Sequence, residues 1–148
     1  MKVGITGTRW GTTYQRRKTL DRLLEGVTEL HHGNCVGADE EAHTIAESRG
    51  IHVVMHPVRS DGLFVAHKMA DEVREAKGHL ARNRDIVAEC DKVIALPQHN
   101  REQYRSGTWY TIRHALRTMK PVTVVLPSGN TVEGEKVLGL LREGRWGE

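Results

Sequence analysis

Ser106, Gly107 and Thr108 stand directly before a predicted helix, where an anion could bind. The helix is predicted from apolar residues at helical spacing, which are Ile112, Ala115, Leu116 and Met119. The first backbone N–H groups of a helix have no partner within it, and the helix dipole favours negative charge there. The segment therefore predicts a phosphate site, with a helix cap formed by the two hydroxyl groups as the alternative.

Two further glycine-bearing loops could approach the same ligand. One runs from Thr6 to Arg9 after a strand-like segment, and the other runs from Gly33 to Asp39. Arg9 and Arg82 could each hold phosphate oxygens with two nitrogens, although the position of Arg82 also suits a solvated helix face. Asp39 could accept hydrogen bonds from ribose hydroxyls or cap its own helix.

The elements that must position these loops alternate between strands and helices. Strands are predicted at residues 2–9, 29–35, 51–55, 92–97 and 121–127, with an edge strand at 131–132. Helices are predicted between them, including one from Val58 to Gly78 whose apolar positions are Val65, Met69, Val73 and Ala76. This order predicts an α/β fold, a Rossmann-like three-layer sandwich with a mostly parallel sheet of about five strands. The length predicts a single domain across residues 1–148.

The predicted topology also indicates where a ligand binds. In such sheets, ligands lie beyond the carboxyl ends of the strands, at the point where the strand order reverses. With the first strand in the centre, that point lies between it and the fourth strand, Lys92 to Pro97. The loops at 6–9 and 105–108 then face each other across one crevice, with 33–39 beside them. Three converging glycine loops favour a phosphorylated ligand.

Composition excludes several classes of protein. The net charge of +3 suits an anionic ligand without establishing nucleic-acid binding. No apolar run is long enough for a membrane span and no signal-peptide pattern opens the chain, so we expect a cytoplasmic protein with no membrane partner. Cys35 and Cys90 are expected to be reduced, and the nine histidines show no zinc-type spacing. The sequence therefore predicts no metal and no cofactor, and it lacks the motifs of ATPases, dinucleotide enzymes and serine hydrolases.

Four segments together resemble the SLOG superfamily of Rossmann-like nucleotide-binding proteins. They are Thr6–Arg9, Gly33–Asp39, Ala81–Val87 and Ser106–Thr111. By spacing, the chain is most similar to stand-alone SLOG domains and to the DNA-processing protein A core. It is more distantly similar to the cytokinin-activating phosphoribohydrolases.

The resemblance implies a phosphate on the late helix and a nucleoside beside the second glycine loop. The implied ligand-binding residues are Gly7, Thr8, Arg9, Gly33, Gly37, Asp39, Arg82, Asn83, Ser106, Gly107 and Thr108. It also implies self-association as a homodimer or higher homo-oligomer, for which residues 59–77 are a candidate region. The catalytic glutamate of the phosphoribohydrolases is missing, since no acid lies between Arg105 and Thr111. Asp39, Glu40 or Asp85 could serve instead, so the sequence does not decide whether the protein is an enzyme.

Three functions compete at this point. The first is binding of a phosphorylated nucleoside without turnover, and the second is cleavage of the N-glycosidic bond of a nucleoside monophosphate. The third is single-stranded nucleic-acid binding, with Trp10, Trp109 and Tyr110 stacking on bases unless one of them packs in the core. The cations for that role are Arg16, Arg17, Lys18, Arg101, Arg105, Arg113, Arg117 and Lys120.

Overall fold

The computed structural model describes residues 1–59, 66 and 68–141. Its strands are β1 (Lys2–Gly7), β2 (Glu29–His32), β3 (His52–Met55), β4 (Glu72–Val73), β5 (Lys92–Leu96), β6 (Val122–Val125) and β7 (Thr131–Glu133). Its helices are α1 (Tyr14–Leu23), α2 (Ala38–Ser48), α3 (His79–Glu89) and α4 (Gly107–Arg117), followed by a 3₁₀ helix at Gly134–Leu140. Within these ranges, none of the helices combines the length and the apolar character that crossing a membrane requires.

The strands form one sheet in the order β4-β3-β2-β1-β5-β6-β7. All neighbouring strands are parallel except β6 and β7, which are antiparallel. The predicted Rossmann-like α/β fold is therefore confirmed. The sheet has seven strands, more than the five or so predicted: β7 lies where the edge strand at residues 131–132 was predicted, whereas the edge strand β4 was not predicted.

The strand order reverses at β1, as predicted. The chain leaves β1 through α1 to β2 on one side, and β5 pairs along the other side of β1 from Val3↔Lys92 to Gly7↔Leu96. Parallel strands end at the same edge of a sheet, so the segments that follow β1 and β5 lie next to each other. The predicted crevice between these two strands is thereby present.

Two apolar clusters cover the two faces of the sheet. On one face, α1 and α2 bury a set that includes Leu20, Leu24, Ala38, Ala42 and Ala46. On the other face, α4 packs Trp109, Ile112 and Ala115 against β5, β6 and the 3₁₀ helix. Trp109 is 1% exposed, so it is a core residue and the prediction that it stacks on a base is wrong.

The predicted helix from Val58 to Gly78 is wrong in the part that the structure describes. Residues 60–65, which include the predicted apolar position Val65, and residue 67 lie outside the described residues. From residue 68 onward the chain is extended or irregular and contains β4. The Asp71 N–H donates to the Val53 carbonyl (3.0 Å), and the Arg74 N–H donates to the Met55 carbonyl (2.8 Å). Pairing with β3 therefore satisfies this backbone without a helix.

Candidate functional site

A cavity of about 530 Å³ opens beyond the carboxyl ends of β1 and β5. Of the residues predicted to bind a ligand, all except Gly37 line it: Gly7, Thr8, Arg9, Gly33, Asp39, Arg82, Asn83, Ser106, Gly107 and Thr108. Nine further lining residues are outside the set of predicted ligand-binding residues, namely Ile5, Thr6, Trp10, Cys35, His79, Leu80, Ile86, Gln98 and Arg105. Gln98 follows β5 directly, so the rule that ligands lie beyond the strand ends could have identified it.

The first turn of α4 forms one wall of this cavity. The Ser106 hydroxyl accepts a hydrogen bond from the Trp109 N–H (3.2 Å), so the predicted helix cap is present. The cap uses only that donor, and the structure gives no protein partner among the described residues for the N–H groups of Gly107 and Thr108. No acidic residue lies in the first turn of α4, so its positive end is not neutralised locally. The cap and an anion site can therefore coexist.

The first turn of α2 differs from that of α4 although it borders the same cavity. It contains the acidic residues Asp39, Glu40 and Glu41. The first N–H group of α2, that of Ala38, donates to the Thr8 carbonyl (3.0 Å). Negative side chains at this end compensate the helix dipole. The end of α2 is therefore a poor place for a further anion.

Gly37 holds two loops together and does not line the cavity. Its φ angle is +88°, which is the left-handed region that favours glycine. A Cβ atom at this position would overlap the Thr8 carbonyl oxygen and would lie 2.7 Å from the Arg9 carbonyl carbon. Gly37 therefore allows α2 to begin directly against the turn that follows β1.

Asp39 and Arg82 are both buried and both hold the turn after β2. The Asp39 Oδ2 atom accepts hydrogen bonds from the N–H groups of Gly33 (3.0 Å) and Cys35 (3.3 Å). The Arg82 Nη1 atom donates to the carbonyls of Gly33 (2.8 Å) and His56 (3.0 Å). The Arg82 Nε atom donates to the Asn83 side chain (2.7 Å). The solvated helix face considered for Arg82 is therefore wrong, and two of its three nitrogens are bound to protein oxygens.

The loop between β5 and α4 is anchored by two arginines. Arg113 donates to Glu102 (2.8 Å), whose carboxylate is fully buried, and the Glu102 N–H donates to the Leu140 carbonyl (2.8 Å). Arg16 is 3% exposed and its Nη2 atom donates to the carbonyls of Pro97 and Val125, both at 2.7 Å. Burial lowers the pKa of Arg16 to about 10. Arg16 is thus internal, and the prediction that it contributes to a nucleic-acid surface is wrong, whereas the partly exposed Arg113 is held in an ion pair with Glu102.

Of the three carboxylates considered as a catalytic acid, only Asp39 lines the cavity. Glu40 lines a separate groove between α1 and α2, and Asp85 pairs with Lys77 (2.6 Å). Burial raises the pKa of Asp39 to about 6, with Arg82 and the two backbone hydrogen bonds opposing that shift. Arg9 and Arg105 give the rim a positive charge, and Trp10, which is 65% exposed, presents an aromatic ring there.

Comparisons with known proteins identify the fold. No family model matches the sequence, and no curated protein matches it. The molybdenum cofactor binding protein from Rippkaea orientalis is 25% identical, with a TM-score of 0.66 over 84% of this chain and 76% of that one. The Moco carrier protein from Chlamydomonas reinhardtii is 18% identical, with a TM-score of 0.58 over 95% of this chain and 86% of that one.

DNA processing protein A from Streptococcus pneumoniae is also similar. It is 22% identical, with a TM-score of 0.61, and the match covers 83% of this chain and 49% of that one. These structures share a Rossmann-like architecture of the SLOG type with this chain. The chain therefore has the SLOG-type fold that its four sequence motifs resemble.

Proposed function

We propose that this protein binds a phosphorylated heterocyclic small molecule in the cavity between β1 and β5, with the phosphate at the first turn of α4. The observation that carries this proposal is the pair of backbone N–H groups of Gly107 and Thr108, which have no partner among the described residues and belong to cavity-lining residues. Such N–H groups and the helix dipole together favour phosphate oxygens. Arg9 and Arg105 add positive charge at the rim.

A nucleoside monophosphate suits the rest of the cavity. The side chain of Asp39 lies in the cavity wall, and its Oδ1 atom has no hydrogen bond among the described residues. That oxygen can accept a hydrogen bond from a ribose hydroxyl or from an N–H group of a base. The exposed ring of Trp10 at the rim can stack on a planar heterocycle.

The molybdenum cofactor is the second candidate ligand. Two of the similar structures are described as a molybdenum cofactor binding protein and a Moco carrier protein. That cofactor is a phosphorylated pterin, so the N-terminal turn of α4 fits its phosphate in the same way that it fits a nucleotide. Bound elsewhere to an enzyme, the cofactor supplies redox chemistry at its metal. In this chain the residues of the cavity would bind and orient it.

Thermal unfolding against a panel of ligands tests the proposal. The panel contains nucleoside monophosphates, the matching nucleosides, inorganic phosphate and the isolated molybdenum cofactor under anaerobic conditions. A ligand at 100 times its dissociation constant stabilises the folded state by roughly 2.7 kcal/mol. We expect a phosphorylated heterocycle to raise the unfolding temperature and the matching nucleoside to have little effect. Equal shifts of the unfolding temperature with a nucleotide and with its matching nucleoside, or no shift with any ligand, would contradict the proposal.

Chromatography of the same mixtures distinguishes binding from N-glycosidic cleavage. A binding protein leaves the nucleotide intact, whereas a hydrolase releases free base. The phosphoribohydrolases that the sequence resembles carry a catalytic glutamate just after the glycine motif, and the first turn of α4 contains no acidic residue at that place. We therefore propose binding without turnover. Single-stranded nucleic-acid binding has less support because Arg16 and Trp109 are buried and Arg113 is paired with Glu102.

A further inference from the structure

Four ionisable side chains form a row on the face of the sheet that packs against α3. The Glu29 Oε2 atom lies 2.7 Å from the His31 Nε2 atom, and the His31 Nδ1 atom lies 2.8 Å from the His56 Nε2 atom. The His56 Nδ1 atom then faces the Glu89 Oε2 atom at 3.8 Å. His31 and His56 are 1% and 2% exposed, so this row is shielded from water for most of its length.

The donors and acceptors of the hydrogen bonds along the row determine the tautomer of each ring. An ionised Glu29 carboxylate only accepts, so the His31 Nε2 atom carries the proton of that neutral ring. The His31 Nδ1 atom is then an acceptor, and the proton between the two rings belongs to the His56 Nε2 atom. A neutral His56 therefore has a bare lone pair on Nδ1, directed toward the carboxylate of Glu89.

The contact between His56 and Glu89 thus brings two acceptors together. Their separation of 3.8 Å is too long for a hydrogen bond. A second proton on His56 would place a positive charge on a ring that is 2% exposed, which burial opposes. The other carboxylate oxygen of Glu89 is already paired with Arg74 at 2.8 Å and 3.0 Å.

The geometry points to a divalent transition-metal site between the His56 Nδ1 atom and the Glu89 Oε2 atom, of the kind that takes Zn²⁺. Ligands that share a tetrahedral metal at about 2.0 Å lie roughly 3.3 Å apart, so a small approach of the two atoms suffices. His56 and Glu89 belong to a group with His31 whose ligand atoms lie within 4.8 Å of one another, and in this group His56 and Glu89 would bind the metal directly while His31 orients His56. Imidazole and carboxylate together are a zinc-type ligand set.

The remainder of the row acts as the supporting shell of this site. Histidines that bind a metal through one nitrogen commonly donate from the other, which fixes the ring orientation. Here His56 donates to His31 and His31 donates to Glu29. Glu89 is 35% exposed, so the metal can enter from its side and water can complete the coordination. This site does not depend on the proposed ligand of the cavity.

A second cluster on the surface provides the rival location for a metal. Glu29, His52 and Glu72 also offer ligand atoms within 4.8 Å of one another, and His52 and Glu72 are well exposed. Arg74 pairs with Glu72 (3.0 Å) as well as with Glu89. Glu89→Gln and Glu72→Gln are therefore a matched pair, since each change removes one carboxylate partner of the same arginine.

Calorimetric titration with Zn²⁺ and the absorption spectrum of bound Co²⁺ test the proposal on the full-length chain. We expect one Zn²⁺ per chain, about 100-fold weaker binding in Glu89→Gln and unchanged binding in Glu72→Gln. Circular dichroism is used to check that both variants are folded. No binding by the native chain overturns the proposal. Loss of Zn²⁺ binding in Glu72→Gln alone would place the metal at the surface cluster. Equal loss of Zn²⁺ binding in both variants would attribute the effect to Arg74. Either outcome also overturns it.

Discussion

Asp39 and Arg82 hold the same residue from its two sides, since Asp39 accepts from the Gly33 N–H group and Arg82 donates to the Gly33 carbonyl. Both side chains are buried, and both also line the cavity. The turn after β2 is therefore shaped by the protein itself before any ligand enters. Pre-organisation of this kind reduces the conformational entropy that the protein loses when it binds a ligand.

The first prediction concerns the proposed phosphate site at Gly107. A Cβ atom there meets only the Asn83 Nδ2 atom at 3.8 Å, so Gly107→Ala is expected to fold normally. The new methyl group blocks close approach of phosphate to the backbone, and we expect nucleotide affinity to fall at least about tenfold. Calorimetry measures the affinity. Gly139→Ala is the control, because nothing lies within 4 Å of its added Cβ.

The second prediction concerns charge at the rim of the cavity. Arg105 lines the cavity, whereas Arg101 is exposed in the same loop and does not. Because a charge-assisted hydrogen bond to phosphate is strong, Arg105→Ala is expected to weaken nucleotide binding about tenfold. Arg101→Ala is expected to leave it unchanged. Similar losses in the two variants, measured at one salt concentration, would indicate only long-range charge.

The third prediction concerns stability at Gly37. Alanine at this position combines a positive φ angle with an overlap onto the Thr8 carbonyl, and we expect it to lower the free energy of unfolding by about 2 to 4 kcal/mol. Gly26→Ala is the control, because its φ angle is +74° but nothing lies within 4 Å. That change should cost only about 1 to 2 kcal/mol. Urea unfolding measures both, and equal losses would show that the overlap is relieved at no cost.

The fourth prediction concerns the pH dependence of stability. Burial lowers the pKa of His32 from 6.5 to about 3, so between these values the unfolded chain binds a proton that the folded chain does not. This contribution makes the free energy of unfolding fall as the pH falls. Burial raises the pKa of Asp39 from 3.8 to about 6, and between these values the folded chain binds the extra proton, with the opposite effect.

Asp39→Asn separates the two contributions. Removing the opposing carboxyl should make the fall in stability between pH 6 and pH 4 steeper than in the native chain, by at most about 1.4 kcal/mol per pH unit. Urea unfolding at a series of pH values, with a chelator present, measures the slopes. A shallower slope in the variant would contradict the assigned shift of Asp39.

The central strands and the position of the cavity could be predicted from the sequence. Lys92–Leu96 is almost entirely apolar, which is typical of a strand covered on both faces, and the glycine loops follow such strands. The edge strand Glu72–Val73 could not be predicted, because both side chains are exposed and its backbone is extended only through pairing with β3. The single domain, the self-association and the cytoplasmic location stay predictions.

The roles of individual site residues were harder to predict than the site itself. Arg82 has the type and position of a surface arginine, and the carbonyls that bury it come from Gly33 and His56, which lie 49 and 26 residues earlier in the chain. Gly37 has the appearance of a ligand contact, but its neighbour is the Thr8 carbonyl. Local patterns identify residue types at strand ends, whereas their partners depend on how distant loops pack.

The unequal charge at the beginnings of α2 and α4 makes the cavity directional. Three acidic residues occupy the first turn of α2, and none occupies that of α4. For a phosphorylated ligand this leaves one orientation, in which the anionic end points to α4 and the uncharged end points to Asp39. A molecule with anionic groups at both ends is then disfavoured relative to one that is anionic at a single end, so selection among metabolites begins with the distribution of negative charge along the ligand.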